Sequence, residues 1–127
     1  MRKLLSVLTA VFVCLSLSAC SISASSIRSN LSDAGYTVIE IEAEQLKSLN
    51  EELTYNYNGK GVITSGFYGV NNENNESITV LEFEYSDDLT LMYKVAKKSI
   101  DSSTQAVDIS GNILVFGAKD GVKAALK

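Results

Sequence analysis

The 127-residue sequence contains no histidine, no tryptophan and no proline, and its two cysteines both lie within the first twenty residues. Histidine is the commonest general base and the commonest metal ligand in proteins. Its absence excludes Ser-His-Asp and Cys-His catalytic arrangements as well as the usual zinc sites. We therefore predict no catalytic, cofactor-binding or metal-binding residue from the sequence, and no cofactor.

The first nineteen residues have the composition of a secretory signal peptide. Arg2 and Lys3 form a short basic segment, and residues 4–19 are uncharged and almost wholly apolar or small. This run is shorter than the roughly 20 apolar residues that a membrane-spanning helix needs. A basic start, a short apolar core and small residues at its end are typical of a cleaved signal. We predict a signal peptide over residues 1–19.

The segment LSAC at positions 17–20 resembles the lipobox of bacterial lipoproteins, which consists of an aliphatic residue, two small residues and a cysteine. The resemblance implies that Cys20 is lipidated and becomes the first mature residue, on the extracytoplasmic face of the cell membrane. Residues 20–26 would then hold the lipidated cysteine and a serine-rich tether. Cys14 is interpreted as an apolar residue of the signal peptide. Ordinary cleavage close to residues 21–23 is the alternative.

The chain is acidic, with 11 basic and 15 acidic residues. Removal of Arg2 and Lys3 with the signal peptide would leave nine basic and fifteen acidic residues, a net charge of −6. An acidic domain without a basic stripe is a poor candidate for binding nucleic acid, and anionic lipids would repel it weakly. We predict that acyl chains on Cys20, and not charge, hold the protein at the membrane.

Residues 27–127 are predicted to form a single α+β domain, since apolar residues recur at helical and strand spacings in alternation. The predicted helices span 27–34, 43–53, 87–100 and 119–126, and the predicted strands span 36–42, 61–71, 77–85, 105–110 and 112–118. The central β-α-β-β-α-β order is the split arrangement of ferredoxin-like domains. We predict a two-layer sandwich with this core, an extra strand and terminal helices.

Two of the predicted strands are apolar on both faces. In the strand over 77–85, Ile78 and Val80 point to one face while Leu81 and Phe83 point to the other. Strands of this kind are usually covered on both sides. Either an extra helix covers the second face, such as 27–34 or the C-terminal helix, or a partner does. That partner would be a second copy of the chain or another envelope protein.

Three phrases, LSDAGYTV, FEYSDDLTLMYKVAKK and GNILVFGAKDGVKAAL, resemble a group of small bacterial lipoproteins of uncharacterised function. The shared features are a helix that ends in Gly-Tyr before the first strand, and a strand-to-helix junction with an acidic first turn. The third shared feature is a last strand that leads directly into a C-terminal helix. The resemblance supports the α+β fold and implies no catalytic residue.

Candidate sites in the domain have plain structural interpretations, which we favour. Asp87 and Asp88 stand where a helix begins, a place where carboxylates are favourable. Glu82 and Glu84 share a strand face that solvent would cover. The polar segment 71–76 is predicted to be a hairpin loop, because it lacks the spacing and glycine of a calcium loop. Residues 59–61 lack the pattern of a phosphate loop.

Two functions remain open from the sequence. The first is a membrane-anchored binding or interaction domain, which the lack of the usual catalytic side chains favours. The second is a carboxylate-based envelope hydrolase, in which paired acids such as Glu82 and Glu84 would cleave a glycoside. A deep pocket with converging aspartate, glutamate and tyrosine side chains would favour the hydrolase.

Overall fold

A computed structural model of the protein describes residues 22–127, so the predicted signal peptide and Cys20 lie outside the described residues. The helices in this part of the chain are α1 (Ala24–Asp33), α2 (Ala43–Tyr57), α3 (Ser86–Ser99) and α4 (Lys119–Ala125). The strands are β1 (Tyr36–Glu40), β2 (Ile63–Asn71), β3 (Ser77–Phe83), β4 (Gln105–Ser110) and β5 (Ile113–Ala118). The predicted order of helices and strands is confirmed. Over residues 22–127 no helix combines the length and apolar character that crossing a bilayer requires.

The five strands form one antiparallel sheet in the order β1-β2-β3-β5-β4. The α+β class is therefore confirmed. The ferredoxin-like order is not confirmed, because a split arrangement would place another strand between β1 and β2. In this sheet β1 and β2 are direct antiparallel neighbours, with Tyr36 opposite Asn71 and Glu40 opposite Phe67.

The geometry of α2 explains why the chain returns beside β1 instead of crossing the sheet. The five residues of β1 pair only with residues 67–71, so the first half of β2 has no neighbouring strand on that side. Asn50 of α2 takes the place of one, since its Oδ1 accepts from the Ile63 N–H at 2.6 Å and its Nδ2 donates to the Ile63 carbonyl at 3.3 Å. Helix α2 thereby satisfies the backbone of Ile63 at the free edge of β2, and a helix that crossed the sheet would not lie beside this edge.

The sheet is covered on both faces, so the predicted two-layer sandwich is corrected to three layers. On one face α1 and α4 pack on a buried cluster that consists of Ile27, Leu31, Tyr36, Phe67, Ile78, Val80, Ile113, Val115, Val122 and Ala125. On the other face α2 and α3 pack on a cluster of Ile41, Leu53, Ile63, Leu81, Phe83, Leu89, Ala96, Val107 and Leu114. The expectation that helices of the same chain cover the second face is confirmed, and the N-terminal and C-terminal helices share that role.

The described domain begins before the predicted boundary at residue 27. Ser23 caps α1, because its Oγ accepts from the Ser26 N–H at 3.2 Å. The Ile22 N–H donates to Ser110 Oγ at 2.6 Å, and the Ile22 side chain packs against the cluster beneath α1. Residues 24–26 thus belong to a helix and not to a serine-rich tether, which leaves only residues 20 and 21 of the predicted tether outside the described residues.

Candidate functional site

The two aspartates at the start of α3 have different environments. Asp88 is completely buried, and its carboxylate accepts from the Lys60 N–H at 2.8 Å and from the Val62 N–H at 3.1 Å. The side chain of Asp87 is 83% exposed and lies 3.9 Å from the Lys60 ammonium. Asp88 therefore fixes the loop between α2 and β2, which includes residues 59–61, and both aspartates lie in the first turn of α3 as predicted.

The carboxylates of Glu82 and Glu84 have separate surroundings. Glu82 is half-buried and accepts a hydrogen bond from Ser65 Oγ at 3.0 Å, whereas Glu84 is exposed beyond the end of β3. Arg28 of α1 binds Glu40 through two hydrogen bonds of 2.9 and 3.0 Å. That bond to Glu40 raises the pKa of Arg28 against the opposing effect of burial, and the charge of Glu82 adds to the rise. Glu82 thus interacts with Ser65 and Arg28, which gives no support to a pair of catalytic acids.

The polar loop over residues 71–76 uses its side chains to close its own turn. Asn71 Oδ1 accepts from the backbone N–H groups of Glu73 and Asn74, at 2.8 and 3.3 Å, and Asn74 Oδ1 accepts from the Glu76 N–H at 2.9 Å. The predicted hairpin between β2 and β3 is confirmed. Within residues 22–127 no group of three or more acidic side chains is placed to hold a metal ion.

A groove between the end of α2 and the outer face of α3 has the most distinctive chemistry on the surface. We call it the α2–α3 groove; it offers about 390 Å³ and is lined by Tyr57, Leu91, Lys94, Val95, Lys98 and Ser99. Leu91 and Val95 stand one turn apart on α3 and are half-buried, while Lys94 and Lys98 stand one turn apart beside them and are exposed. The result is an apolar floor with a tyrosine wall and a basic rim.

The lysines of the groove form no ion pair with a carboxylate of the described residues. Among residues 22–127 the ion pairs within 4.0 Å are Arg28–Glu40 and Lys60–Asp87, so no carboxylate lies within that distance of Lys94 or Lys98. Lysines in the last turns of α3 suit the helix dipole. Their ammonium groups are nevertheless free to bind an anionic group from outside the domain.

A second groove borders α2 between Ala43 and Tyr55 and has a mixed lining. It is bordered by Ala43, Leu46, Lys47, Asn50, Glu51, Thr54, Tyr55 and Gly61. Lys47 and Glu51 stand one turn apart with opposite charges, and Asn50 is already bonded to the backbone of Ile63. The lining of this groove therefore favours neither an anionic nor a cationic ligand. Tyr55, which also lines it, is 82% exposed.

The sequence did not predict the α2–α3 groove. No lysine of α3 is among the candidate site residues predicted from the sequence, and the predicted α2 ends at residue 53. Tyr57 belongs to the last turn of α2, which extends to that residue. The sequence does contain a feature that could have predicted the groove. In α3, Leu91 and Val95 are four residues apart, and so are Lys94 and Lys98, which places an apolar stripe beside a basic one.

Comparisons of the chain with protein-family models, with curated proteins and with solved structures found no match, so its function has to be argued from this geometry.

Proposed function

We propose that the chain is a lipid-anchored extracytoplasmic domain that binds an acidic, amphipathic segment of another envelope protein. The observation that carries the proposal is the α2–α3 groove, where an apolar floor lies beside two lysines that form no ion pair within residues 22–127. Apolar side chains of the bound segment would pack on Leu91 and Val95, and its carboxylates would pair with Lys94 and Lys98. This is the helix-in-groove mode of recognition, in which regularly spaced anchors fill an apolar channel.

The charge of the whole domain would help to select this site for an acidic partner. From residue 20 onwards the chain carries nine basic and fifteen acidic residues, so its net charge of −6 disfavours the binding of an acidic segment elsewhere on the domain. A local pair of unpaired lysines would therefore fix both the position and the register of such a segment. Tyr57 supports the same interpretation, because tyrosine is enriched in protein interfaces and loses little conformational entropy when it is bound.

The lipid anchor is the part of the proposal that a single substitution tests. Cys20→Ser removes the thiol that would carry the diacylglyceryl group. We expect labelled palmitate to enter the wild-type protein and not the variant, and the variant to retain its first nineteen residues. Label in both proteins would contradict lipidation at Cys20. Cys14→Ser is the matched control and should leave the labelling unchanged.

The groove is tested by photo-crosslinking on intact cells. A photoreactive amino acid at Val95, which is half-buried in the groove, should give one discrete adduct, and mass spectrometry of that adduct should identify an acidic, amphipathic segment. The double charge reversal Lys94→Glu/Lys98→Glu should lower the yield about tenfold or more, since the loss of two rim contacts would be compounded by repulsion. Raising the ionic strength should weaken the wild-type adduct, because exposed charges are screened.

Two control variants give this experiment its power to refute the proposal. The photoreactive residue at Ser48, which is exposed on α2, should give no adduct of this kind. Lys47→Glu/Lys123→Glu makes the same change in net charge away from the groove and should leave the yield at Val95 unchanged. Adducts of equal yield at positions 48 and 95 would contradict binding in the groove. An equal loss of the Val95 adduct in Lys47→Glu/Lys123→Glu and in Lys94→Glu/Lys98→Glu would contradict it as well.

A further inference from the structure

The chain enters the domain at one end of the sheet and is held there. The Ile22 N–H donates to Ser110 Oγ at 2.6 Å, and the Ile22 side chain packs on the cluster beneath α1. Ser110 is the last residue of β4, directly before the β4–β5 turn. Because a chain extends by at most about 3.6 Å per residue, the two residues that precede Ile22 can span at most about 7 Å. A lipid on Cys20 would therefore attach close to the β4–β5 turn.

The same end of the sheet includes two further segments. The Phe83 N–H donates to the Asn112 carbonyl at 2.9 Å, and Asn112 Nδ2 donates to the Phe83 carbonyl at 2.9 Å, so the start of the β3–α3 connection lies beside the β4–β5 turn. Ile63 stands opposite Phe83 in the sheet, which brings the α2–β2 loop to this end as well. We call these three segments, residues 58–62, 84–85 and 109–112, the anchor end.

The opposite end of the sheet is far from Ile22. The β2–β3 hairpin loop over residues 72–76 follows the last residue of β2, and β2 begins at the anchor end. Nine residues of strand at about 3.3 Å per residue separate the two ends by about 26 Å. Only Ser21 stands between Cys20 and Ile22 in the sequence, so a lipid on Cys20 would leave the domain little freedom to turn over.

We propose that the anchor end lies against the lipid headgroups; this inference rests on the proposed lipidation of Cys20. Besides the short connection, the exposed side chains at this end suit a headgroup layer. Tyr85 is 40% exposed and Ile109, one residue before Ser110, is 37% exposed. A tyrosine with an apolar ring and a polar tip is favoured at membrane interfaces.

The charges at the anchor end partly cancel. The Lys60 ammonium lies 5.0 Å from the centre of the Tyr85 ring and 3.9 Å from the Asp87 carboxylate, while Glu84 has no lysine or arginine within 4.0 Å in the described part of the chain. The contact would therefore suit zwitterionic headgroups, and the anchor rather than electrostatic attraction would maintain it.

This orientation leaves the α2–α3 groove accessible to a partner. Helix α3 begins at the anchor end with Ser86, and Lys94 and Lys98 follow eight and twelve residues later. At 1.5 Å per residue these lysines lie about 12 and 18 Å along the helix from its start. Their ammonium groups would stand clear of the headgroups.

The absence of tryptophan from the chain provides the test. Single-tryptophan variants Tyr85→Trp and Ile109→Trp report on the anchor end, and Asn74→Trp reports on the opposite hairpin. Each mature lipidated variant is reconstituted in phosphatidylcholine vesicles that carry a spin label on a fraction of the headgroups. We expect the label to quench Tyr85→Trp and Ile109→Trp at least about twofold more strongly than Asn74→Trp.

The outcomes separate the orientation from the lipid anchor. Stable association with the vesicles together with equal quenching at all three positions, or stronger quenching of Asn74→Trp, would overturn the orientation and leave lipidation intact. If the wild-type protein associates with the vesicles no better than Cys20→Ser, both proposals fail. Equal melting temperatures of the three variants show that the tryptophans have not changed the fold, and two probes at the anchor end keep the test valid if one variant does not fold.

Discussion

Val80→Glu is expected to unfold the domain or to reduce its free energy of unfolding by at least about 4 kcal/mol. Val80 is 1% exposed and lies between Phe67 and Val115 in the sheet, on the face that α1 and α4 cover. A glutamate at this position would bury a carboxylate without a partner. Because small domains have a total stability of only about 5–15 kcal/mol, this loss is severe. Urea denaturation of the fragment 21–127, followed by circular dichroism, measures it.

The matched control for this substitution is Ile39→Glu. Ile39 is also a β-branched strand residue, but it is 49% exposed. Its replacement is expected to change the free energy of unfolding by less than about 1 kcal/mol, as is usual for surface positions. A folded Val80→Glu protein with wild-type stability would show that α1 and α4 do not cover this face. The second copy of the chain that the sequence left open as a cover would then become the better explanation.

Local patterns were sufficient to predict which segments are helices and which are strands. The apolar stripe of α3 predicted a helix over 87–100, and the structure has it over Ser86–Ser99. Strands apolar on both faces likewise predicted a covered second face. These predictions succeed because the burial of an element is visible in the spacing of its own residues.

The order of the strands was beyond such patterns, because it depends on contacts between distant residues. Asn50 of α2 bonds to Ile63, thirteen residues away, and Asp88 bonds to Lys60 and Val62, more than twenty residues away. These contacts hold the α2–β2 loop and the start of β2 in a position from which β2 pairs directly with β1. A β-α-β pattern in the sequence is the same whether the helix crosses the sheet or satisfies a strand edge, so the ferredoxin-like interpretation had no local feature to contradict it.

The roles of the two adjacent aspartates could not be distinguished from the sequence either. Asp87 and Asp88 have the same side chain in the same helical turn, and both suit the helix dipole. A rotation of about 100° per residue places one carboxylate in solvent and the other against the loop after α2. Only the position of that loop decides which aspartate is structural, and the loop is fixed by the tertiary fold.

Asp88→Ala is expected to reduce the free energy of unfolding by about 3 kcal/mol or more. Asp88 is completely buried, and the substitution leaves the part-buried N–H groups of Lys60 and Val62 without their acceptors. A donor left unsatisfied away from water costs about 1–3 kcal/mol. The α2–β2 loop should also open locally, so the amide protons of residues 60 and 62 should exchange faster with solvent than those of β3. Urea denaturation and hydrogen exchange on the fragment 21–127 measure the two effects.

Asp87→Ala distinguishes this hydrogen-bonded role from a simple effect of charge. The Asp87 carboxylate stands in the same turn with the same charge, but its side chain is 83% exposed and its ion pair with Lys60 is long, at 3.9 Å. Exposed pairs of this kind contribute about 0–1 kcal/mol, so Asp87→Ala should have a small effect. If the two variants lost equal amounts of unfolding free energy, interaction with the helix dipole, and not hydrogen bonding to the α2–β2 loop, would explain the role of Asp88. A large loss of unfolding free energy for Asp88→Ala alone, with faster amide exchange confined at first to residues 60 and 62, is the expected result. It would establish that the buried Asp88 carboxylate holds the α2–β2 loop, which connects α2 to the strand beside β1.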